Sequence, residues 1–184
     1  MIQAIVIGHS AGGLQPAITI LKQVPTGMPP VILVCHQPCN SAISSVIRRE
    51  VALPVLDAYD KQKLAHGNIY VAPSGYHLLM ETSEQLSISL DMPECYVRPS
   101  VDVLFETATD ATDGHLVGLI LSGANHDGSK GLKYIQDHGG LTMVQDPSSA
   151  KFATMPEASL ALSTPDIVGT ADQLANKLVD WLTR

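Results

Sequence analysis

Aromatic residues make up only 4% of this 184-residue chain. A core without many rings has to be assembled from Val, Ile, Leu and Ala, which suits a sheet buried on both faces by helices. Basic residues are also few. Lys and Arg number 11 against 18 Asp and Glu, a formal charge of −7. With no basic cluster, the chain lacks the phosphate-neutralising surface that nucleic-acid binding requires. The one basic pair, Arg48-Arg49, runs into Glu50 and reads as a solvated helix end. Three cysteines, Cys35, Cys39 and Cys95, form an odd set without zinc-type spacing, and are expected to be reduced thiols in a cytoplasmic protein. A basic leader followed by a long apolar stretch is missing too, so neither a signal peptide nor insertion in a membrane is expected.

What remains is a globular composition, 45% hydrophobic and 16% charged, of a length that suits one domain over residues 1–184. Short apolar runs alternate with helix-like stretches. Strands are predicted at 4–7, 31–35, 54–56, 68–72, 116–121 and 141–144. Helices are predicted at 13–24, 41–50, 100–112, 130–138, 155–162 and 171–182, with Pro25 and Gly139-Gly140 as stops and Ser100 as an N-cap. Residues 76–82 and 86–90 read as the two strands of a hairpin around Ser83-Glu84-Gln85. The pattern predicts an α/β fold: a doubly wound, mostly parallel sheet with an antiparallel hairpin and helices on both faces. In such sheets ligands sit beyond the carboxyl ends of the strands, so residues just after the apolar runs are the ones that meet.

Gly8-His9-Ser10-Ala11-Gly12 follows the first run at once. It is a G-x-S-x-G pattern on a strand-to-helix turn, the setting that lifts a serine into the open at a sheet edge. Backbone N–H groups after such a serine point toward charge developing on an attacked carbonyl. His36 follows the second apolar run, and Asp127 lies in the loop after 116–121. If these strands are neighbours, Ser10, His36 and Asp127 converge: His36 takes the proton of Ser10, and Asp127 holds the imidazole. Two other readings stay open on the residues alone. Gly8, Gly12 and Gly13 resemble a distorted dinucleotide turn, although the G-x-G pair and the ribose-binding acid are absent. His9, His36, His126 and Asp127 share an edge that is open to zinc, although no helix carries two histidines at ligand spacing.

Several separate segments resemble, in the same order, the catalytic domain of the bacterial chemotaxis protein-glutamate methylesterases, the CheB type. They are Ile7 to Gly13, Val34-Cys35-His36-Gln37-Pro38, Gly67 to Pro73 with Gly75 and His77-Leu78, Arg98 to Phe105, Leu121-Ser122-Gly123 with Asp127-Gly128, and Gln145-Asp146 with Met155-Pro156. The likeness runs over nearly the whole chain. It implies a doubly wound α/β domain that hydrolyses γ-methyl esters of glutamate on the cytoplasmic helices of chemoreceptors. Many members also deamidate receptor glutamines. No cofactor and no metal are implied.

Carried over by the resemblance, Ser10 is the nucleophile, His36 the general base and acid, and Asp127 the orienting carboxylate. Backbone N–H groups of Ala11 and Ala124 are expected at the oxyanion position, with Arg98 and Met155 along the substrate groove. The chain departs from the family pattern at Ala11, where threonine is frequent, and at Ala124, where methionine is frequent. His9 and His126 are expected to narrow the entrance or add a donor. His66, His77, His115 and His138 read as surface or turn residues. The family usually carries a preceding receiver domain, whereas this chain starts with Met1 at the first strand. A stand-alone form is therefore expected, with a chemoreceptor or another methylated protein as partner. The missing receiver and the altered loop also fit a binding module that kept the fold without the chemistry.

Overall fold

The computed structural model describes residues 1–36, 42–94 and 96–183. Cys39 and Cys95, and the start of the helix expected from residue 41, lie outside the described residues. Two apolar periodicities organise the rest. Along strand β1 (Ala4–His9), Ala4 and Val6 face one core while Ile5 and Ile7 face the other. That alternation is the period of two that a pleated strand imposes, and it means the sheet is covered on both sides.

The main sheet has seven strands. They are β1, β2 (Val31–Cys35), β3 (Val55–Asp57), β4 (Ile69–Val71), β7 (Leu116–Ile120), β8 (Leu141–Gln145) and β9 (Ile167–Gly169). Their order is β3-β4-β2-β1-β7-β8-β9, and every pairing is parallel. β5 (His77–Thr82) and β6 (Gln85–Ser89) form a separate antiparallel pair, the expected hairpin. Strand β9 was not expected: three residues with Val168 exposed at their centre give too short a pattern to separate from a loop.

One face is covered by α1 (Leu14–Leu21), α2 (Ile43–Glu50) and α6 (Ala171–Leu182), through Ile18, Leu21, Ile47, Leu174 and Leu178. The other is covered by α3 (Val101–Ala111), α4 (Ser129–Asp137), α5 (Thr154–Leu162) and the hairpin, through Val101, Phe105, Leu132, Ile135, Met155, Leu78 and Leu86. Burying each large apolar side chain contributes about 1.5–3 kcal/mol relative to exposure. The strand order reverses between β1 and β7. Chain after β1 goes one way to β2, and returns later on the other side. The crevice at the carboxyl ends of β1 and β7 is thus the switch point where a doubly wound sheet opens.

Candidate active site

Ser10 stands one residue past the end of β1. The register pairs His9 with Cys35, and the His36 N–H donates to the His9 carbonyl at 3.1 Å. Ser10 and His36 are therefore the next positions on adjacent strands. Continued alternation puts both on the face where α3 packs, since Val6, Ile32 and Val34 belong to that core. The turn is held from the other side of the switch point: the Ser10 N–H donates to the Ser122 carbonyl at 3.0 Å, and the Ser122 hydroxyl donates to the Ala11 carbonyl at 2.9 Å. Gly12 has a φ of +76°, a left-handed conformation that glycine adopts without Cβ strain. A Cβ at Gly8 would collide with Val101, so glycine there lets the first turn of α3 sit directly on β1.

That close approach locates Asp127. Its carboxylate is buried and accepts from four directions: the His36 Nε2–H at 2.7 Å, the Val101 N–H at 2.6 Å, the Asp102 N–H at 3.1 Å and the Ser100 hydroxyl at 2.7 Å. Burial on its own would raise the Asp127 carboxyl; the bonds from His36, Val101 and Ser100 outweigh it and hold the group below the usual aspartate value. The N-terminus of α3 supplies backbone donors and a favourable dipole to the same charge. Asp102 is also buried, yet its one backbone donor among the described residues is the Gly131 N–H at 2.7 Å. Burial and the neighbouring Asp127 charge push the Asp102 carboxyl up to about 7 despite that bond.

The imidazole roles are the reverse of the common arrangement in which the carboxylate holds Nδ1. Here Asp127 holds Nε2, which leaves Nδ1 as the basic nitrogen. Nδ1 in turn lies 2.9 Å from the side-chain amide of Asn125. His36 lines a cavity of about 200 Å3 with Tyr96, Val97, Arg98 and Pro99. A larger, mostly apolar hollow of about 570 Å3 lies at the opposite end of the strands, beside Met28, His115 and Trp181, away from the serine, histidine and carboxylate. Of the two, only the smaller cavity is lined by one of Ser10, His36 and Asp127, namely His36.

The remaining expected residues fall in different places. Ala11 and Ala124 are exposed beside Ser10 and Gly123, and their N–H groups have no backbone partner among the described residues. Arg98 donates through Nη1 to the carbonyls of Leu90 and Asp91 at 2.8 and 3.0 Å, tying the end of the hairpin to the cavity. Met155 is fully buried. It does not face the groove but packs behind Gly123, where an added Cβ would strike its side chain and come within 3.0 Å of the Ser10 Cβ. His9 is a correction as well. It is fully buried beneath Gly13, with Nε2 unpartnered among the described residues, so it does not shape the entrance. Burial lowers it to about 4, which keeps the ring neutral. Among the described residues, no cluster of three or more His, Cys, Asp or Glu is arranged to hold a metal ion. His126 is exposed. Cys35 is a free, buried thiol pushed up to about 12 by burial.

His77 is not a surface residue. It is buried, donating through Nε2 to the Met92 carbonyl at 3.0 Å and accepting the Ser100 N–H on Nδ1 at 3.2 Å. It links the hairpin to the serine that holds Asp127. Asn125, Ser100, His77 and Asp102 were thus absent from the expected site or given another role. Only Ser100 carried a local signal, as an N-cap. It does accept the Val103 N–H at 3.4 Å, but its hydroxyl proton goes to Asp127.

The described residues contain no helix long and apolar enough to cross a membrane. The family model for CheB methylesterase matches residues 5–178. A relative from Leptospira interrogans, provisionally named a protein-glutamate methylesterase/protein-glutamine glutaminase, is 38% identical over 96% of this chain and 93% of its own length. A protein-glutamate methylesterase/protein-glutamine glutaminase from Clostridium acetobutylicum is 32% identical over 97% of this chain, which spans 52% of that protein. The fold matches the crystal structure of the Thermotoga maritima CheB methylesterase catalytic domain, with a TM-score of 0.92 and 24% identity over 98% of this chain and 99% of that one. With its fold, its matched residues and its relatives in agreement, the chain belongs to the CheB methylesterase family.

Proposed function

We propose that this protein is a protein-glutamate methylesterase that works in the cytoplasm through Ser10, His36 and Asp127. Its substrates are γ-methyl esters of glutamate on chemoreceptor helices or on another methylated protein, with deamidation of receptor glutamines as a companion activity. The observation that carries the reading is the 2.7 Å pairing of His36 with the buried Asp127 carboxylate, on the strand next to the one that ends in Ser10.

The chemistry follows from that pairing. Ser10 Oγ bonds to the ester carbonyl carbon as its proton passes to His36 Nδ1. Asp127 balances the charge gained by the ring through Nε2–H. The Ala11 and Ala124 N–H groups are the candidate donors for the developing oxyanion, a contribution of about 10²–10³ in turnover for each donor. Collapse expels methoxide, which takes the proton from Nδ1 and leaves as methanol. Water then gives a proton to Nδ1 and its oxygen to the acyl carbon; the acyl carbon–Ser10 Oγ bond breaks as Oγ takes that proton back from Nδ1, which frees the glutamate carboxyl and restores Ser10. Arg98 lines the cavity the substrate enters, and Met155 supports Gly123 from behind.

The test is methanol release from a methylated chemoreceptor fragment. Wild-type protein is expected to release it, and Ser10→Ala to lose it while keeping the wild-type melting profile. Release by a folded Ser10→Ala variant would remove the serine mechanism.

A further inference from the structure

Two side chains flank the ring of His36, an acceptor on Nε2 and a donor on Nδ1, and only the acceptor belongs to the proton relay. The Asp127 carboxylate accepts at Nε2, so Nε2 carries the hydrogen and the lone pair of the neutral ring lies on Nδ1. The group facing Nδ1 is the Asn125 side-chain nitrogen, at 2.9 Å. Its orientation is set independently. The Asn125 side-chain oxygen accepts the Asp127 backbone N–H at 3.1 Å, which leaves the NH2 end for the ring. No hydrogen bond joins the Ser10 hydroxyl to His36 among the described residues, so the proton-accepting nitrogen is occupied by an amide.

We infer that Asn125 is a positioning residue that holds the enzyme in a restrained state: its amide N–H competes with the Ser10 hydroxyl for Nδ1 of His36. The inference rests on the proposed serine mechanism. An amide donated to Nδ1 fixes the ring plane against Asp127, but proton transfer from Ser10 requires the same lone pair. The amide therefore has to withdraw before acylation. Asn125 is half-buried, in the loop between exposed Ala124 and exposed His126. A bound ester whose carbonyl oxygen takes the loop N–H of Ala124 lies directly beside it.

The experiment compares labelling of Ser10 by a fluorophosphonate in wild type, Asn125→Ala and Asn125→Ser. Labelling forms an Oγ–phosphorus bond, expels fluoride and moves the Ser10 proton to Nδ1, so it reads the competed step. The serine variant keeps a short oxygen acceptor for the Asp127 N–H but cannot span to the ring. Both variants are expected to label about two- to tenfold faster, the range of one hydrogen bond given up. In wild type, the 15N resonance of His36 Nδ1 should report a hydrogen-bonded acceptor, and in both variants it should move toward a free one. A merely structural role for Asn125 would slow labelling in the variants. Equal or slower labelling in folded variants, or a free Nδ1 in wild type, would overturn the inference. If neither wild type nor variants label Ser10, the serine mechanism itself fails, a result distinct from wild type labelling as fast as its variants.

Discussion

The Asp127 carboxylate stands 2.7 Å from His36 Nε2, but it is the first turn of α3 that holds it there. Ser100, Val101 and Asp102 each donate to it across a sequence gap of about 25 residues. The carboxylate beside the histidine is thus stabilised by a helix that carries none of the three residues of the proposed triad. The neighbouring Asp102 has only the Gly131 N–H as backbone donor among the described residues. With more donors, the Asp127 carboxyl stays below the ordinary aspartate value, whereas burial pushes Asp102 up to about 7.

Asp127→Asn removes that charge with little change in shape. The amide nitrogen cannot accept from Nε2–H, so the ring loses its tautomer. Turnover is expected to fall by about 10⁴, as such a change does in a serine triad. One backbone N–H at the start of α3 is also left without an acceptor, a cost of about 1–3 kcal/mol. Methanol release and thermal melts measure the two effects separately. A variant with near wild-type turnover would show that Asp127 serves only the fold.

Ser100→Ala takes away a helix cap and a bond to a buried charge together. Cap loss costs about 0.5–2 kcal/mol, and a hydrogen bond to a charged group about 1.5–3 kcal/mol. The melting temperature should drop by about 5–10 °C, given a few degrees per kcal/mol at this size. The turnover number should fall more than KM changes, because the lesion lies behind His36 and not in the cavity. An unchanged melting curve would mean that the Ser100 hydroxyl contributes nothing to Asp127.

The Asp102 carboxyl gives a pH signature. In the folded protein it keeps its proton up to about 7, against an ordinary 3.8. The native state therefore binds the extra proton between those values. The stability it contributes is complete below the ordinary value and is lost as pH rises through about 7. Asp127, shifted the other way, contributes above its ordinary value and loses that contribution as pH falls. Asp102→Asn keeps an acceptor for Gly131 and cannot ionise. Its melting temperature should gain on wild type as pH rises toward and past about 7. Melting curves that track wild type at every pH would contradict this assignment.

The parts of this architecture that depend on repetition were legible in the letters. Alternating apolar runs marked the strands, and residues following those runs pointed to Ser10, His36 and Asp127. The supports were not legible, because they depend on contacts between distant segments. Nothing near Asn125 in the chain signals that its amide meets a histidine 89 residues away. His77 read as a surface or turn residue, and only its packing under Ser100 makes it a buried link. Met155 was placed in the groove by likeness, whereas the close contact with Gly123 sends it behind the site. His9 adjoins Ser10 in sequence, but its side chain is enclosed beneath Gly13.

The most direct test of the central claim is site-mapped labelling by a fluorophosphonate, followed by intact mass and peptide mass spectrometry. One adduct per chain is expected, carried on Ser10, with the rate collapsing in His36→Gln while the fold melts as before. Adduct on another residue, or undiminished labelling without the His36 imidazole, would contradict it.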